Sequence, residues 1–366
     1  PEPGSGPRCN YRGRSSYCGP LGLQGAPNRL YRNRGDGRFE DVTEASGLAD
    51  LSPYFSLGAV WSDIDDDGDL DLLIANDSTP NHLMLNLGDG TFEDIGLRSG
   101  LAANADGRFQ ASMGVDVADF NNDGLLDVYA THFASDYSTL YRNRGELSFL
   151  DVSTMAQIVQ PEWLLVSWGT RFVDLDHDGW KDLVHSNGHV YPFLQTAGWA
   201  EQYGQPLSVY LNRGDETFRD VSRDLGEDAL EPTVSRGVAF GEYDNDGDTD
   251  FAVANLDGKP QLFRNDFATA NHWVMFRLRG TAGNRDAIGA RLTLETGGLT
   301  QLWEIKRADS IYSASDPRAH FGLGGESTVK RLQVRWPGGR TEEFKDLTAD
   351  THYLIEEGKG LAKEFP

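Results

Sequence analysis

Apolar positions along this chain come in short runs, and the runs recur. A glycine is followed, after four residues, by an acidic loop and then by an apolar stretch. The copies begin at Gly58, Gly114, Gly169 and Gly237, and their first acidic positions are Asp63, Asp119, Asp174 and Glu242. These positions are 56, 55 and 68 residues apart. The stretches behind the loops read LLIAN, VYATH, LVHSN and FAVAN, which predicts strands. A second pattern follows each copy: an apolar pair, Asn, a glycine-containing turn and Phe. It reads LYRNRGDGRFEDV from Leu30, LMLNLGDGTFEDI from Leu83, LYRNRGELSFLDV from Leu140 and VYLNRGDETFRDV from Val209, with a truncated LFRND at Leu262. The asparagines are Asn33, Asn86, Asn143, Asn212 and Asn265. Asp-Gly between strand-like runs predicts a tight hairpin rather than a metal site.

A period of about 55 residues built from short strands means a propeller or a solenoid. The density of glycine and turns excludes a helical solenoid. A four-stranded blade needs roughly 40–50 residues, so the period allows a blade with longer loops. The first hairpin pattern, at Leu30, has no acidic loop before it, so the chain starts inside a blade. About four blades fit between there and Asp266. The expectation is that about three blades precede Pro1, or that another segment closes the ring.

The loops carry the chemistry. The first holds Asp63, Asp65, Asp67, Gly68, Asp69 and Asp71; the second Asp119, Asn121, Asp123, Gly124, Leu125 and Asp127. The third holds Asp174, Asp176, Asp178, Gly179, Trp180 and Asp182; the fourth Glu242, Asp244, Asp246, Gly247, Asp248 and Asp250. The shared form is D-x-[DN]-x-D-G-x-x-D, with Glu first in the last copy. Ca²⁺ takes six to eight hard oxygens at roughly 2.3–2.6 Å. Positions one, three, five and nine of the loop can converge side-chain oxygens, and glycine at position six takes the sharp turn. Position seven varies between Asp69, Leu125, Trp180 and Asp248, which fits a backbone carbonyl ligand. Mg²⁺ fits less well, because it keeps a strict, water-rich shell. These are not EF-hands, since position twelve is Ile74, Ala130, His185 or Val253 instead of Glu, and strands flank the loops. About four Ca²⁺, one per loop, are expected. Solvated acidic turns are the plain alternative, and four copies in register weigh against it.

Composition narrows the function. The 366 residues carry 33 basic and 57 acidic side chains, a net charge of −24, which opposes a nucleic-acid or anionic-membrane partner. Apolar runs stay far short of the roughly 20 residues of a spanning helix, so no direct membrane insertion is expected. Residue 1 is Pro and no leader follows it, so the chain reads as a processed product or a fragment. Cys9 and Cys18 match neither a redox nor a zinc pair; a local disulfide is the preferred reading and two free thiols the alternative.

At the loops the chain resembles the FG-GAP/VCBS repeat family, the propeller family of integrin α-chain heads, as in VDVADFNNDGLLDVYATHF and VAFGEYDNDGDTDFAVANL. The resemblance implies a calcium-binding propeller, here the C-terminal part of a seven-bladed ring. Past Asn271 the pattern changes to alternating runs, HWVMFRLRG, GARLTLETGG, LTQLWEIKRA, VKRLQVRWPGG and THYLIEEG, which predict a small all-β module. NRDAIGARLTL from Asn284, SDPRAHFGLG from Ser315 and VRWPGG from Val334 resemble the ASPIC/UnbV domain. The combination is similar to the cartilage acidic protein 1 family, including its bacterial members, and the segment from Cys9 to Pro27 is similar to a connecting loop in those members. The family implies a secreted or surface-exposed, calcium-dependent protein and supplies no catalytic residues. The expected fold is all-β: residues 1–27 a connecting loop, 28–268 propeller blades, 271–358 the β module and 359–366 a tail.

Other constellations are weaker. His185 and His189 read as strand-to-loop histidines, and His177, fourth in its loop, as solvent-facing. Asn76, His132, Asn187 and Asn255 each stand 13 residues after position one, which argues for a turn role. No nucleophile elbow, Walker loop or HExxH motif appears. Trp61, Trp163, Trp168, Trp180 and Trp199 read as blade packing before sugar platforms. The insertion 188–207, with Tyr191, Pro192, Phe193, Trp199 and Tyr203, is the candidate contact surface. The function expected is a non-enzymatic extracellular or periplasmic adhesion and interaction module, acting on a protein or matrix partner or as a subunit of a larger assembly. A glycan-binding module attached to polysaccharide processing is the alternative, and a lyase or hydrolase the third.

Overall fold

The computed structural model describes residues 8–20, 22–256, 258–267, 269–307 and 309–363. Its strands fall into one repeated unit and one different unit. The repeated unit is a four-stranded antiparallel sheet. Blade one has strands β5 (Ser56–Ser62), β6 (Asp71–Asn76), β7 (His82–Asn86) and β8 (Phe92–Asp94). Blade two has β9 (Val115–Ala118), β10 (Asp127–Ala130), β11 (Thr139–Asn143) and β12 (Phe149–Asp151). Blade three has β13 (Ser167–Val173), β14 (Asp182–Asn187), β15 (Ser208–Asn212) and β16 (Phe218–Asp220). Blade four has β17 (Ser235–Gly241), β18 (Asp250–Asn255) and β19 (Gln261–Phe263). Ahead of them lie a hairpin β1 (Arg8–Tyr11) and β2 (Arg14–Tyr17), closed by the Cys9–Cys18 disulfide, and a hairpin β3 (Tyr31–Asn33) and β4 (Phe39–Asp41). The β3–β4 pair is the outer half of a blade, as the pattern at Leu30 predicts.

The first strands of the blades stand side by side in chain order. The repeated glycines explain how closely. A Cβ on Gly58 would lie 2.5 Å from the Met113 carbonyl oxygen, and one on Gly114 2.0 Å from that of Trp168. On Gly169 it would lie 3.0 Å from the Arg236 oxygen. Each contacted residue immediately precedes the glycine of the next blade. This is a propeller-like row in which only the smallest residue lets one inner strand reach the next. Apolar alternation fills the gaps between blades: Val60, Leu73 and Leu83 meet Val117, Val128 and Phe149, and Phe120, Tyr129 and Leu140 meet Leu183 and Phe218.

The second unit is a sandwich of two four-stranded sheets. One runs β23 (Ala319–Gly324), β20 (His272–Arg279), β26 (Thr351–Glu356), β27 (Gly360–Lys363); the other runs β22 (Thr300–Glu304), β21 (Arg291–Glu295), β24 (Thr328–Arg335), β25 (Thr341–Thr348). Phe276, Phe321 and Ile355 from the first sheet pack on Leu292, Leu332 and Val334 from the second, with Trp336 sealed beside them. All five expected strands are present; β23, β25 and β27 were not anticipated.

The segment between β22 and β23 runs along the inner strands of the blades. Ser310 Oγ accepts the amides of Val115 (3.1 Å) and Thr170 (3.2 Å), Ser313 Oγ that of Val238 (3.1 Å) and Ser315 Oγ that of Phe240 (3.1 Å). Asp309 is paired with buried Arg171 at 2.7 Å. A Cβ on Gly237 would meet the Tyr312 carbonyl oxygen at 2.3 Å. Tyr312 thus takes the place that a further blade would take beside blade four.

Candidate metal centres

Each acidic loop joins the first and second strands of its blade. Position four is left-handed in all four loops, at Asp66 (φ 63°), Asn122 (55°), His177 (59°) and Asn245 (62°), and the glycine two residues on is left-handed as well, from 87° at Gly124 to 102° at Gly247. These two reversals curl the loop so that position one receives the glycine amide: Asp63 from Gly68 (3.1 Å), Asp119 from Gly124 (2.9 Å), Asp174 from Gly179 (2.9 Å) and Glu242 from Gly247 (2.8 Å). Position five accepts the amide of position seven, as Asp67 does from Asp69 (2.8 Å) and Asp178 from Trp180 (2.8 Å). The longer Glu242 reaches its glycine as the aspartates do.

Position nine is fixed from both sides. Asp71 accepts the amides of Ile64 (3.0 Å) and Asn86 (2.8 Å); Asp127 those of Phe120 (3.2 Å) and Asn143 (2.7 Å). Asp182 accepts those of Leu175 and Asn212 (both 2.8 Å), and Asp250 those of Tyr243 (3.1 Å) and Asn265 (2.8 Å). The hairpin asparagines therefore belong to the loops. Asn212 also donates to the carbonyls of Phe120 (2.9 Å) and Lys181 (3.0 Å), linking two blades. The sequence showed that these asparagines recur but not what they hold.

Three loops gather carboxylates. One oxygen each from Asp63, Asp65 and Asp71, from Asp174, Asp176 and Asp182, and from Glu242, Asp244 and Asp246 lie within 4.8 Å of one another. In each, one oxygen at position one is buried with no hydrogen-bond partner: Asp63 Oδ1, Asp174 Oδ1 and Glu242 Oε2. Burial, then neighbouring carboxylates, pushes Asp71 up to about 7, Asp248 to about 6 and Asp182 well above the usual range. Such a pocket is unfavourable with every carboxylate ionised and no cation. An oxygen-lined, acidic, partly buried loop fits a hard divalent ion. The second loop differs. Both Asp119 oxygens are taken, by the Asp123 (3.1 Å) and Gly124 amides, Asn121 replaces a carboxylate, and Arg142 stands 3.7 Å from Asp123. At position seven, Leu125 and Trp180 are half-buried, and the indole of Trp180 covers Gly214.

The C-terminal sandwich sits on these loops, which the sequence did not announce. Arg335 donates to Asp63 (2.5 Å) and Asp66 (2.7 Å), and Arg291 to Asp66 (2.6 Å) and to the Asp63 carbonyl. Glu304 accepts from Ser62 (2.8 Å). At the third loop the Gly322 amide reaches Asp174 (3.1 Å) and that of Gly324 the His177 carbonyl (2.8 Å). His320 contacts the Gly247 carbonyl in the fourth loop at 3.0 Å. His177 is consequently not solvent-facing: it is 1% exposed, lies 5.0 Å ring to ring from His320, and burial pulls its pKa down to about 4. Asn76, Asn187 and Asn255 do serve turns, donating to the carbonyls of Pro80 (2.6 Å), Pro206 (2.8 Å) and Lys259 (2.7 Å).

The aromatic insertion is largely occupied from within. Tyr191 is buried, with Phe193 stacked on it at 5.6 Å and Tyr11 of the disulfide hairpin at 4.7 Å. Buried Glu201 accepts from Tyr11 (3.1 Å) and pairs with Arg12 (2.8 Å). The insertion anchors the N-terminal hairpin.

Comparison with known proteins fits this geometry. The FG-GAP-like repeat model matches residues 21–74, 63–130 and 119–185, and the ASPIC and UnbV model matches residues 280–362. The chain carries FG-GAP repeats and an ASPIC/UnbV domain. It is homologous to cartilage acidic protein 1: the Homo sapiens protein is 27% identical over 299 residues, 78% of this chain and 41% of the relative. The Xenopus tropicalis protein is 27% identical over 281 residues, 74% of this chain and 40% of the relative. The chain thus spans about two fifths of the length of the curated relatives it matches. Among solved structures it overlaps an Agrocybe aegerita lectin described for recognition of non-reducing terminal N-acetylglucosamine, with a TM-score of 0.35 at 20% identity over 67% of this chain and 62% of the lectin. It also overlaps the V. cholerae biofilm matrix protein Bap1, with a TM-score of 0.25 at 13% identity over 88% of this chain and 59% of that one. Neither overlap is close enough to transfer a ligand.

Proposed function

We propose that this chain is a calcium-pinned, non-enzymatic interaction module that works outside the cytoplasm. The observation that carries the reading is the buried position-one oxygen that accepts no hydrogen bond at Asp63, Asp174 and Glu242, the last of which also faces His352 (3.6 Å) and Arg318 (3.9 Å). A divalent ion there supplies charge neutralisation and a fixed turn; Asp65, Asp71, Asp176, Asp182, Asp244 and Asp246 stand beside it to share the ion. The second loop is the weakest of the four sites, because its position-one oxygens are already satisfied. The rigid result is a stack of sheets whose loops keep one shape for a partner. The Cys9–Cys18 disulfide suits an oxidising compartment. No helix among the described residues is long and apolar enough to cross a membrane.

Binding rather than turnover is the proposed action. A serine–histidine contact does occur, Ser112 to His132 at 2.9 Å, but both residues are sealed from solvent. A charge of −24 favours a partner with a basic face, a protein or matrix component, over a polyanion. The test is calcium titration by calorimetry with melting curves in calcium and in chelator. Three to four ions per chain, roughly one per loop, and a large fall in Tm on chelation are expected. Calcium-dependent capture of matrix proteins then defines the partner. No bound calcium and an unchanged Tm would refute the reading.

A further inference from the structure

Blades one to three follow one plan, and blade two departs from it on its outer face. In blade one the side chain at position seven of the acidic loop packs on the glycine of the following hairpin: a Cβ on Gly88 would lie 3.1 Å from Asp69 Oδ2. In blade three the Trp180 indole does the same, 2.9 Å from a Cβ on Gly214. In blade two position seven is Leu125, and nothing stands within 4 Å of a Cβ on Gly145. Beside this turn lies a cavity of about 300 Å³, with Leu125, Arg142, Arg144, Leu150, Val152 and Met155 in its walls.

Those walls invert the charge pattern of the sister blades. The fourth strand and the residues after it carry Glu93 and Arg98 in blade one, and Arg219 and Asp224 in blade three; the same positions in blade two are Leu150 and Met155. These two apolar side chains are 41% and 63% exposed. On the third strand the exchange runs the other way, with Leu85 and Leu211 in the sister blades and Arg142 in blade two. Arg142 is held between Glu216 (2.9 Å) and Asp123 (3.7 Å), and its buried Nε has no acceptor. Arg144 is exposed, and its guanidinium has no hydrogen bond or ion pair among the described residues. Apolar side chains left in solvent beside open guanidinium donors give the cavity one apolar wall and one anion-seeking wall.

We propose that this cavity binds an aryl ring carrying a carboxylate on a short chain, as a free acid or as the C-terminal aromatic residue of a peptide. The ring takes the place that the chain's own indole takes in blade three, against Leu125, Leu150 and the Met155 thioether. Arg144, with Arg142 beside it, takes the carboxylate. One carboxylate is matched by this local pair, whereas the −24 of the whole chain still turns away a polyanion. None of these contacts involves a metal ion. The test is calorimetry of the full chain with N-acetyltryptophan in buffer containing calcium. A dissociation constant of about 0.1 mM is expected for a ligand of this size, with at least about tenfold weaker binding of the neutral N-acetyltryptophanamide. Leu125→Trp, which repeats the packing of blade three, should keep Tm and lose the binding. Arg144→Gln, an exposed change, should weaken binding of the acid about tenfold and leave that of the amide unchanged, so the test survives a Leu125→Trp variant that fails to fold. No saturable binding, acid and amide of equal affinity, or a folded Leu125→Trp variant that binds as wild type would each overturn the proposal. A Gly-Ser-Gly-Trp peptide with a free C-terminus separates the two sources. Tighter binding than N-acetyltryptophan assigns the site to the C-terminus of a partner protein, and equal or weaker binding assigns it to a small aryl acid.

Discussion

Gly114→Ala tests how the blades are held together. The new methyl carbon would lie 2.0 Å from the Trp168 carbonyl oxygen, 2.7 Å from Ser310 Oγ and 2.8 Å from Thr131 Oγ1. The first of these is backbone, so the inner strands of blades two and three must separate. Overpacking of this kind costs about 1–3 kcal/mol. Separation also strains the Thr131 bond to Trp168 (2.6 Å) and the Ser310 bonds to Val115 and Thr170, each contributing about 1 kcal/mol. A total of about 4–6 kcal/mol follows, roughly a 10 °C fall in Tm for a unit of this size. The control is Gly283→Ala, where nothing lies within 4 Å and φ is ordinary. Guanidinium unfolding of both variants in saturating calcium gives the comparison. Gly114→Ala within about 1 kcal/mol of the control would show that the repeated glycine is a local turn preference and not a spacer between blades.

Asn212→Ala leaves the buried carbonyls of Phe120 and Lys181 without a donor and should cost about 2–4 kcal/mol in chemical unfolding, while Asn33→Ala, at an exposed copy of the same motif, should change stability by less than about 1 kcal/mol. Arg335→Met removes a cation that bonds Asp63 and Asp66; calorimetry should show one class of sites binding calcium more tightly, and an unchanged isotherm would separate Arg335 from the ion site. Glu162, sealed beside Tyr129 (2.9 Å) and His185 (3.4 Å), has its pKa raised by burial to about 7 from 4.5. The folded state therefore keeps a proton that the unfolded state loses above about pH 4.5, and stability falls as pH rises towards 7. Glu162→Gln should gain on wild type by about 2–3 kcal/mol between pH 5 and pH 8, and a difference that does not change with pH would contradict this.

What the sequence made legible was local. The acidic loops and hairpins are written within a dozen residues each, so their curl, their glycines and their acidic positions were readable. The half-blade at Leu30 followed from the recurring hairpin pattern, and five strands of the sandwich from alternation. Chemistry joining distant residues was not readable. Asn86 and Asn143 recur in the hairpin pattern, but nothing in the sequence says that their amides hold Asp71 and Asp127. His177 sits in a loop whose motif is normally wet, and the sandwich, over 140 positions later in sequence at Gly322, and the fourth loop, at Asp248 (3.5 Å), bury it. Strand β25 was hidden because its outward face is charged, with Glu343 and Lys345 at its middle, so its alternation is weak. The insertion 188–207 reads as a free aromatic loop, and its partner Tyr11 lies 190 residues from Glu201.

The serines that line the inner strands make a set of reporters. Ser310, Ser313 and Ser315 accept the amides of Val115, Thr170, Val238 and Phe240, which lie in three different blades. None of these amides can meet solvent while the sandwich remains seated. Hydrogen exchange at the four sites therefore follows one opening event, lifting of the sandwich, rather than fraying of individual sheets. Amides of three blades that share a common exchange rate would mark blades two to four and the sandwich as a single cooperative foldon, despite a chain organised as separate repeats.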